Sequence, residues 1–363
     1  MENSKTTSTT ASAVAGGNSP AENLRNLLCT AAAVACLGAF LYMAEENFSP
    51  YTIQIINLVA INAILAVSLN LIYGFTGMFS LGHAGFMAIG AYVCTIFILT
   101  PDQKIGMWML EDMPDFLVNL SMPYFPAVVT GGLVAALFGL LIALPVLRLG
   151  GDYLGIATLG FAEIIRVVLM NIPSITNGSL GIKGIPQYAT MWWNYGWLLF
   201  TLYFVVVLLK SNIGNVFKAI RDDEIAAKTM GINSFFYKVL SFSIGAFFAG
   251  VGGALMATLI STIDPKMFNF MLTFNVLMIV VAGGLGSITG SIIGSIVITF
   301  MLEYLRIVED PFTLGSFEVA GIPGMRMVIF SLLLMCIIIF RRSGLLGMRE
   351  FSWNGLFKLG RRS

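Results

Sequence analysis

Long apolar runs, cut at charges and at Gly/Pro clusters, set the pattern of this chain. They lie near 26–44, 52–73, 84–100, 124–147, 153–171, 192–209, 239–260, 270–285, 288–306 and 326–340. A bilayer crossing takes about 20 mostly apolar residues, so the runs predict an all-α polytopic membrane protein with about ten transmembrane helices. The paired runs around Gly283 to Gly290 also fit one crossing with a re-entrant piece. On this reading residues 1–25 form a disordered tail, 26–340 the membrane domain and 341–363 a basic tail.

Composition agrees. Of 363 residues, 57% are hydrophobic and 11% charged, against roughly 25% charged in a soluble domain. Lys+Arg 20 against Asp+Glu 19 removes the basic excess that nucleic-acid binding needs. Cys29, Cys36, Cys94 and Cys336 fall in apolar runs at no metal-ligand spacing, and read as small hydrophobes in packed helices. His83 is the only histidine, so no His-based metal cluster or His/Cys pair is available. The Ser/Thr/Ala-rich residues 1–20 lack the basic start and apolar core of a signal peptide.

Charge then orients the spans. With ten crossings, one side collects Lys5, Arg25, Arg148, the cations of 210–238, and Arg341, Arg342, Arg349, Lys358, Arg361 and Arg362. The other side holds most acids, among them Glu45, Glu46, Asp102, Glu111, Asp112, Asp115, Asp264, Glu309, Asp310 and Glu318. Cations mark the cytoplasmic side, which puts both termini in the cytoplasm. The glycines, 38 in all, predict close helix packing where they recur every four residues, as at Gly286, Gly290 and Gly294. A second cluster from Gly74 to Gly90 interrupts the chain between spans two and three. Broken backbone at membrane depth is tolerated only when it is buried in protein or lines a cavity.

The longest charged stretch between spans is 210–238. Its residues predict a short helix from Arg221 to Met230, with Asp222 and Asp223 in the first turn, where the helix dipole favours negative charge. Gly231 suits the C-terminal stop, and Asn233-Ser234 can cap the next helix. Ala226 and Ala227 would then lie exposed between Glu224 and Lys228. A plain solvated loop is the alternative.

The run Glu224-Ile225-Ala226-Ala227-Lys228-Thr229-Met230-Gly231 resembles the E-x-A-A-x-x-x-G loop by which ABC importer permeases grip their ATPases. Together with LNLIYGFTGMFSLGHAGFMAIGAY (69–92), LRLGGDYLGIATLGFAEIIRVVL (147–169) and VVAGGLGSITGSIIGS (280–295), it is similar to the M-type permease of branched-chain amino-acid ABC importers, from about residue 50 to 345. The resemblance implies a bundle of the vitamin B12-importer (type II) class in a bacterial inner membrane. It also implies partners: an H-type permease, two ATPase subunits and an extracytoplasmic amino-acid-binding protein. Arg221, Asp222, Asp223, Glu224, Ala226, Ala227, Lys228 and Gly231 are the residues it assigns to ATPase coupling. ATP would sit on the partners, in keeping with the lack of a G-x-x-x-x-G-K-[ST] run here, and no cofactor is expected on this chain. The urea-importer permease is the nearest sibling reading.

Polar residues inside spans are candidates for the path or for bundle contacts. Asn57, Asn62 and Asn70 lie in span two, and His83 at the glycine cluster. Glu163 and Arg166 in span five share a face and can pair. An ion-driven secondary transporter would use Glu163 as its relay and need no docking helix. A membrane-embedded enzyme has no nucleophile–base or metal constellation to use, and a channel has no filter-like ring.

Overall fold

The computed structural model describes residues 20–148, 153–309, 312–314, 317–319, 324–340, 344–347 and 350. Residues 1–19, Gly151, Asp152, Asp310 and the tail cations lie outside them, as do the side chains of Glu318, Arg326 and Cys336. Two compact units divide the chain, one of them Ser49–Glu350. In the other, residues Pro20–Asn47 form α1, an apolar helix whose Phe40 ring meets Phe48 edge-on.

Within Ser49–Glu350 the helices are α2 (Pro50–Asn70), α3 (His83–Ile98), α4 (Pro101–Met107), α5 (Asp115–Val118), α6 (Tyr124–Val146), α7 (Tyr153–Met170), α8 (Pro173–Thr176), α9 (Met191–Lys210), α10 (Asn212–Asp222), α11 (Glu224–Thr229), α12 (Ser234–Ile260), α13 (Phe270–Gly283), α14 (Ile288–Tyr304) and α15 (Met325–Phe340). The strand pairs are small and antiparallel: β1 (Ile182–Lys183) with β2 (Thr262–Ile263), and β3 (Phe312–Leu314) with β4 (Phe317–Val319). Each of the ten apolar runs is helical. Among the described residues six helices are long and apolar enough to cross a membrane: α1, α2 with the turn that follows it, α6, α7, α9 and α12. A seventh is counted if α13 and α14 are one span, bent by 119° at residues 284–287. α3, at 16 residues, is shorter.

Local chemistry sets many of the boundaries. Ser49 caps α2 ahead of Pro50, Asn233 caps α12, Asn269 caps α13 and Ser287 caps α14, each side chain accepting a first-turn amide. Packing comes from close backbone approach. A Cβ on Gly90 would lie 2.1 Å from the Gly250 carbonyl oxygen, and one on Gly131 would lie 2.8 Å from that of Gly90. α3, α6 and α12 therefore cross where only hydrogen fits, which is how small residues bring helices together without a hydrophobic drive.

The break between α2 and α3 is the least regular part of the core. α2 runs into a π-helical turn, Leu71–Phe75, and residues 76–82 are not helical. Their polar groups find partners on other elements: Thr76 Oγ1 meets the Leu71 carbonyl (2.9 Å) and Ser241 Oγ (2.7 Å), and the Leu81 amide donates to Thr158 Oγ1 (3.0 Å). The Ala84 amide, in the first turn of α3, donates to Thr273 Oγ1 of α13 (2.9 Å). The break is thus buried in protein, as the membrane rule requires.

Near the start of α6, Lys104 on α4 is fully buried. Its ammonium donates to the carbonyls of Leu117 (2.7 Å) and Leu120 (2.6 Å), so the acidic 101–120 segment folds around one cation. Burial holds this ammonium below the usual lysine range. Asn177, in a left-handed conformation, joins the same region to β1 by donating to Met107 O and Gly181 O and accepting from the Met109 amide.

Candidate functional site

The charged stretch between α9 and α12 folds as two helices rather than the single helix expected from Arg221 to Met230. Asp223 is the reason. It adopts an extended backbone (φ −158°, ψ 108°), ends α10, and its Oδ1 accepts the amides of Ile225 (2.8 Å) and Ala226 (3.0 Å). Asp223 is thus an N-cap, while Arg221 and Asp222 close the preceding helix. At the far end Gly231 has φ +82°, the left-handed region that glycine enters freely. The Gly231 amide donates to Lys228 O (3.0 Å) and the Ile232 amide to Ala227 O (3.1 Å), the paired bonds of a Schellman stop.

Exposure around α11 differs from expectation at one alanine. Ala226 is exposed, but Ala227 is 4% exposed and turned into the chain's own surface. The outward face carries Ile225, 76% exposed, and Met230, 81% exposed, beside Lys228 and Thr229. Glu224 accepts from Lys238 of α12 (2.5 Å) and Lys228 (3.0 Å). Partial burial pushes the Glu224 carboxyl up, but the two lysines outweigh it and hold it below the usual range.

Arg221 faces inward. Its Nε and Nη2 donate to Asp222 Oδ1 (2.9 and 2.8 Å), and its Nη1 donates to Gly74 O in the π-helical turn (3.2 Å). Asn70, at the end of α2, ties the same turn to the α13–α14 break. Its Nδ2 donates to Ser287 O (2.9 Å) and Ser291 Oγ (2.8 Å), and its Oδ1 accepts the Gly286 amide (2.9 Å). From the C-terminal side, Leu345 and Leu346 donate to Ala282 O and Gly283 O. The Glu350 carboxylate accepts the amides of Ile288 (2.7 Å) and Thr289 (3.2 Å) at the start of α14.

The other polar candidates are dispersed. Asn62 donates to Thr299 Oγ1 of α14 (2.9 Å), Asn57 accepts from Asn194 of α9 (2.8 Å), and His83 shares a 2.9 Å hydrogen bond with Ser68. Glu163 and Arg166 pair on α7 at 2.7 Å, with side chains 38% and 26% exposed. They sit on a helix face that also shows Ile156, Ile164 and Val167. Glu303 pairs with Arg306 (3.4 Å) and accepts from Tyr51 near the helix ends. Apolar grooves among the described residues include one of 360 Å³ between α13 and α15 and one of 400 Å³ along α6 and α9; no candidate polar residue lines either. Among the described residues no group of three His, Cys, Asp or Glu could hold a metal ion.

Residues 51–338 match the family described as the branched-chain amino acid transport system permease component. The high-affinity branched-chain amino acid transport system permease protein LivM of Escherichia coli K12 is 34% identical over 270 residues, 65% of this chain and 59% of that protein. The chain therefore aligns with about six tenths of that relative's length. LivH of Salmonella typhimurium is 25% identical over 274 residues, covering 69% and 82%, and a probable LivM of Methanocaldococcus jannaschii is 23% identical over 322, covering 85% and 87%. No solved structure matches. The match across the membrane domain and the helices that fill it agree, and the chain belongs to the family of branched-chain amino acid transport permease components.

Proposed function

We propose that this chain is one of two permease subunits of an ATP-driven importer for branched-chain amino acids, and that α11 docks it to the ATPases. The observation that carries the docking reading is the α11 face: Ile225 and Met230 stand exposed on a short helix fixed by the Asp223 cap and the Gly231 stop. Two large apolar side chains held in water-facing positions, with Lys228 and Glu224 at the rim, have the make-up of a binding surface. Ala227 supports that helix from behind instead of filling a partner's groove.

The LivM and LivH relatives support a paired permease, with this chain as the M-type member. Two ATPases bind the nucleotide and an extracytoplasmic binding protein delivers the amino acid. Ten crossings, both termini in the cytoplasm and a bundle of the vitamin B12-importer class complete the reading. For the crossing count the support is the meeting of Gly74, Arg221 and Gly286 at one level, where α2 ends and α14 begins. ATPase closure moves α10 and α11, and the spans expose a central path alternately to each side.

The test is co-purification of the ATPases with tagged permease, with uptake measured in parallel. Ile225→Asp and Met230→Asp should fold normally but retain about tenfold less ATPase, because a charge enters an apolar contact. Uptake should fall with retention. Full retention in Ile225→Asp removes the docking assignment and makes an ion-driven transporter the leading reading.

A further inference from the structure

We infer that Arg221 is a positioning residue for transport, linking the docking segment to both broken helices of the bundle; the inference rests on the docking reading above. Arg221 lies in the last turn of α10, two residues before the Asp223 cap of α11. Its side chain is 21% exposed while that of its neighbour Asp222 is 68% exposed, so the guanidinium is directed into the chain and its counter-ion toward solvent. One edge of the fork holds Asp222 Oδ1, and Nη1 reaches Gly74 O.

The surrounding backbones approach so closely that a side chain fits at none of three glycines. A Cβ on Gly77 would lie 3.2 Å from Arg221 Cα and Cγ, and one on Gly286 would lie 3.2 Å from Arg221 Nη1. A Cβ on Gly74 would lie 2.3 Å from the Gly286 amide. Three pieces of chain distant in sequence thus meet at one guanidinium: the end of α10, the π-helical turn after α2, and the turn between α13 and α14. Asn70 bonds the last two together independently.

π-Helical turns and Gly-rich turns are irregular elements with alternative hydrogen-bond registers. Coupling between sites needs an element of that kind that both sites bias. When α10 and α11 shift, the Arg221–Gly74 bond must either carry the π-helical turn with it or break. Arg221 therefore transmits the movement inward and does not grip the partner.

The test uses the full complex, comparing Arg221→Ala and Arg221→Lys with wild type for ATPase retention, ATP hydrolysis and uptake. Arg221→Ala should retain its ATPases and hydrolyse ATP within about twofold of wild type, while uptake falls about tenfold, inside the range that coupling between sites spans. ATP spent per solute should therefore rise about five- to twentyfold. Arg221→Lys keeps the charge but lacks the planar fork that serves Asp222 and Gly74 together, so it should recover only part of the uptake. If Arg221→Ala does not accumulate in the membrane, Arg221→Lys decides by the same ratio. Lost ATPase retention in a folded Arg221 variant would place the residue at the partner interface and overturn the proposal, as would unchanged uptake per ATP. Failure of the docking reading shows separately, as full ATPase retention in Ile225→Asp.

Discussion

Lys104 shows how much one side chain can organise. Its ammonium replaces water with the close carbonyls of Leu117 and Leu120. Lys104→Met should remove these charge-assisted bonds, at about 1.5–3 kcal/mol, seen as a lower melting temperature in detergent and faster proteolysis between residues 101 and 120. Glu224 works in the opposite sense. Its carboxyl is held below the usual 4.5 by Lys238 and Lys228, so its contribution is present above that value and is lost as pH falls through the folded value. The melting temperature of the wild type should therefore drop below about pH 4.5 more steeply than that of Glu224→Gln. The side chain is partly exposed, which keeps the difference to roughly 0–1 kcal/mol.

At the scale of elements, the ion pair on α7 is the informative case. A helix face that is otherwise apolar carries Glu163 and Arg166 bonded to each other at 2.7 Å. Removing one charge leaves the other uncompensated, which costs more than losing both. Glu163→Gln should reduce yield or melting temperature, and adding Arg166→Gln should partly restore it. A Glu163→Gln protein of normal stability without transport would instead place the pair on the solute path. Helix existence and several ends were legible because they depend on short-range rules: apolar run length, Asn233 before α12, Gly231 after α11. The split at Asp223 was not legible, because an acid in the first turn and an acid at the cap look alike in sequence. Nor was the burial of Ala227, which depends on how α11 lies against its own chain. The π-helical turn left only Gly74 as a local sign, and the bond from the Gly286 amide to Asn70 beside it joins residues 216 apart in sequence.

For the molecule as a whole, the proposed orientation can be checked directly. Single cysteines at Asp112 and Thr229, both exposed, should separate under an impermeant thiol reagent: Asp112→Cys labelled in intact cells, Thr229→Cys only after permeabilisation. Outside labelling at Thr229 inverts the topology and removes the docking surface from the ATPase side. The family was legible as four blocks of sequence in order, whereas the junction at Arg221 joins three of those blocks and belongs to none of them alone. That junction has a consequence for biosynthesis. The first amides of α14 find their acceptor in Glu350, 62 residues later for Ile288, and Ala282 and Gly283 bond Leu345 and Leu346. A chain growing at about 5–20 residues per second inserts α13 and α14 several seconds before those partners exist. Nascent α14 thus has Asn70 to hold its bend from the start, but its first amides wait for Glu350.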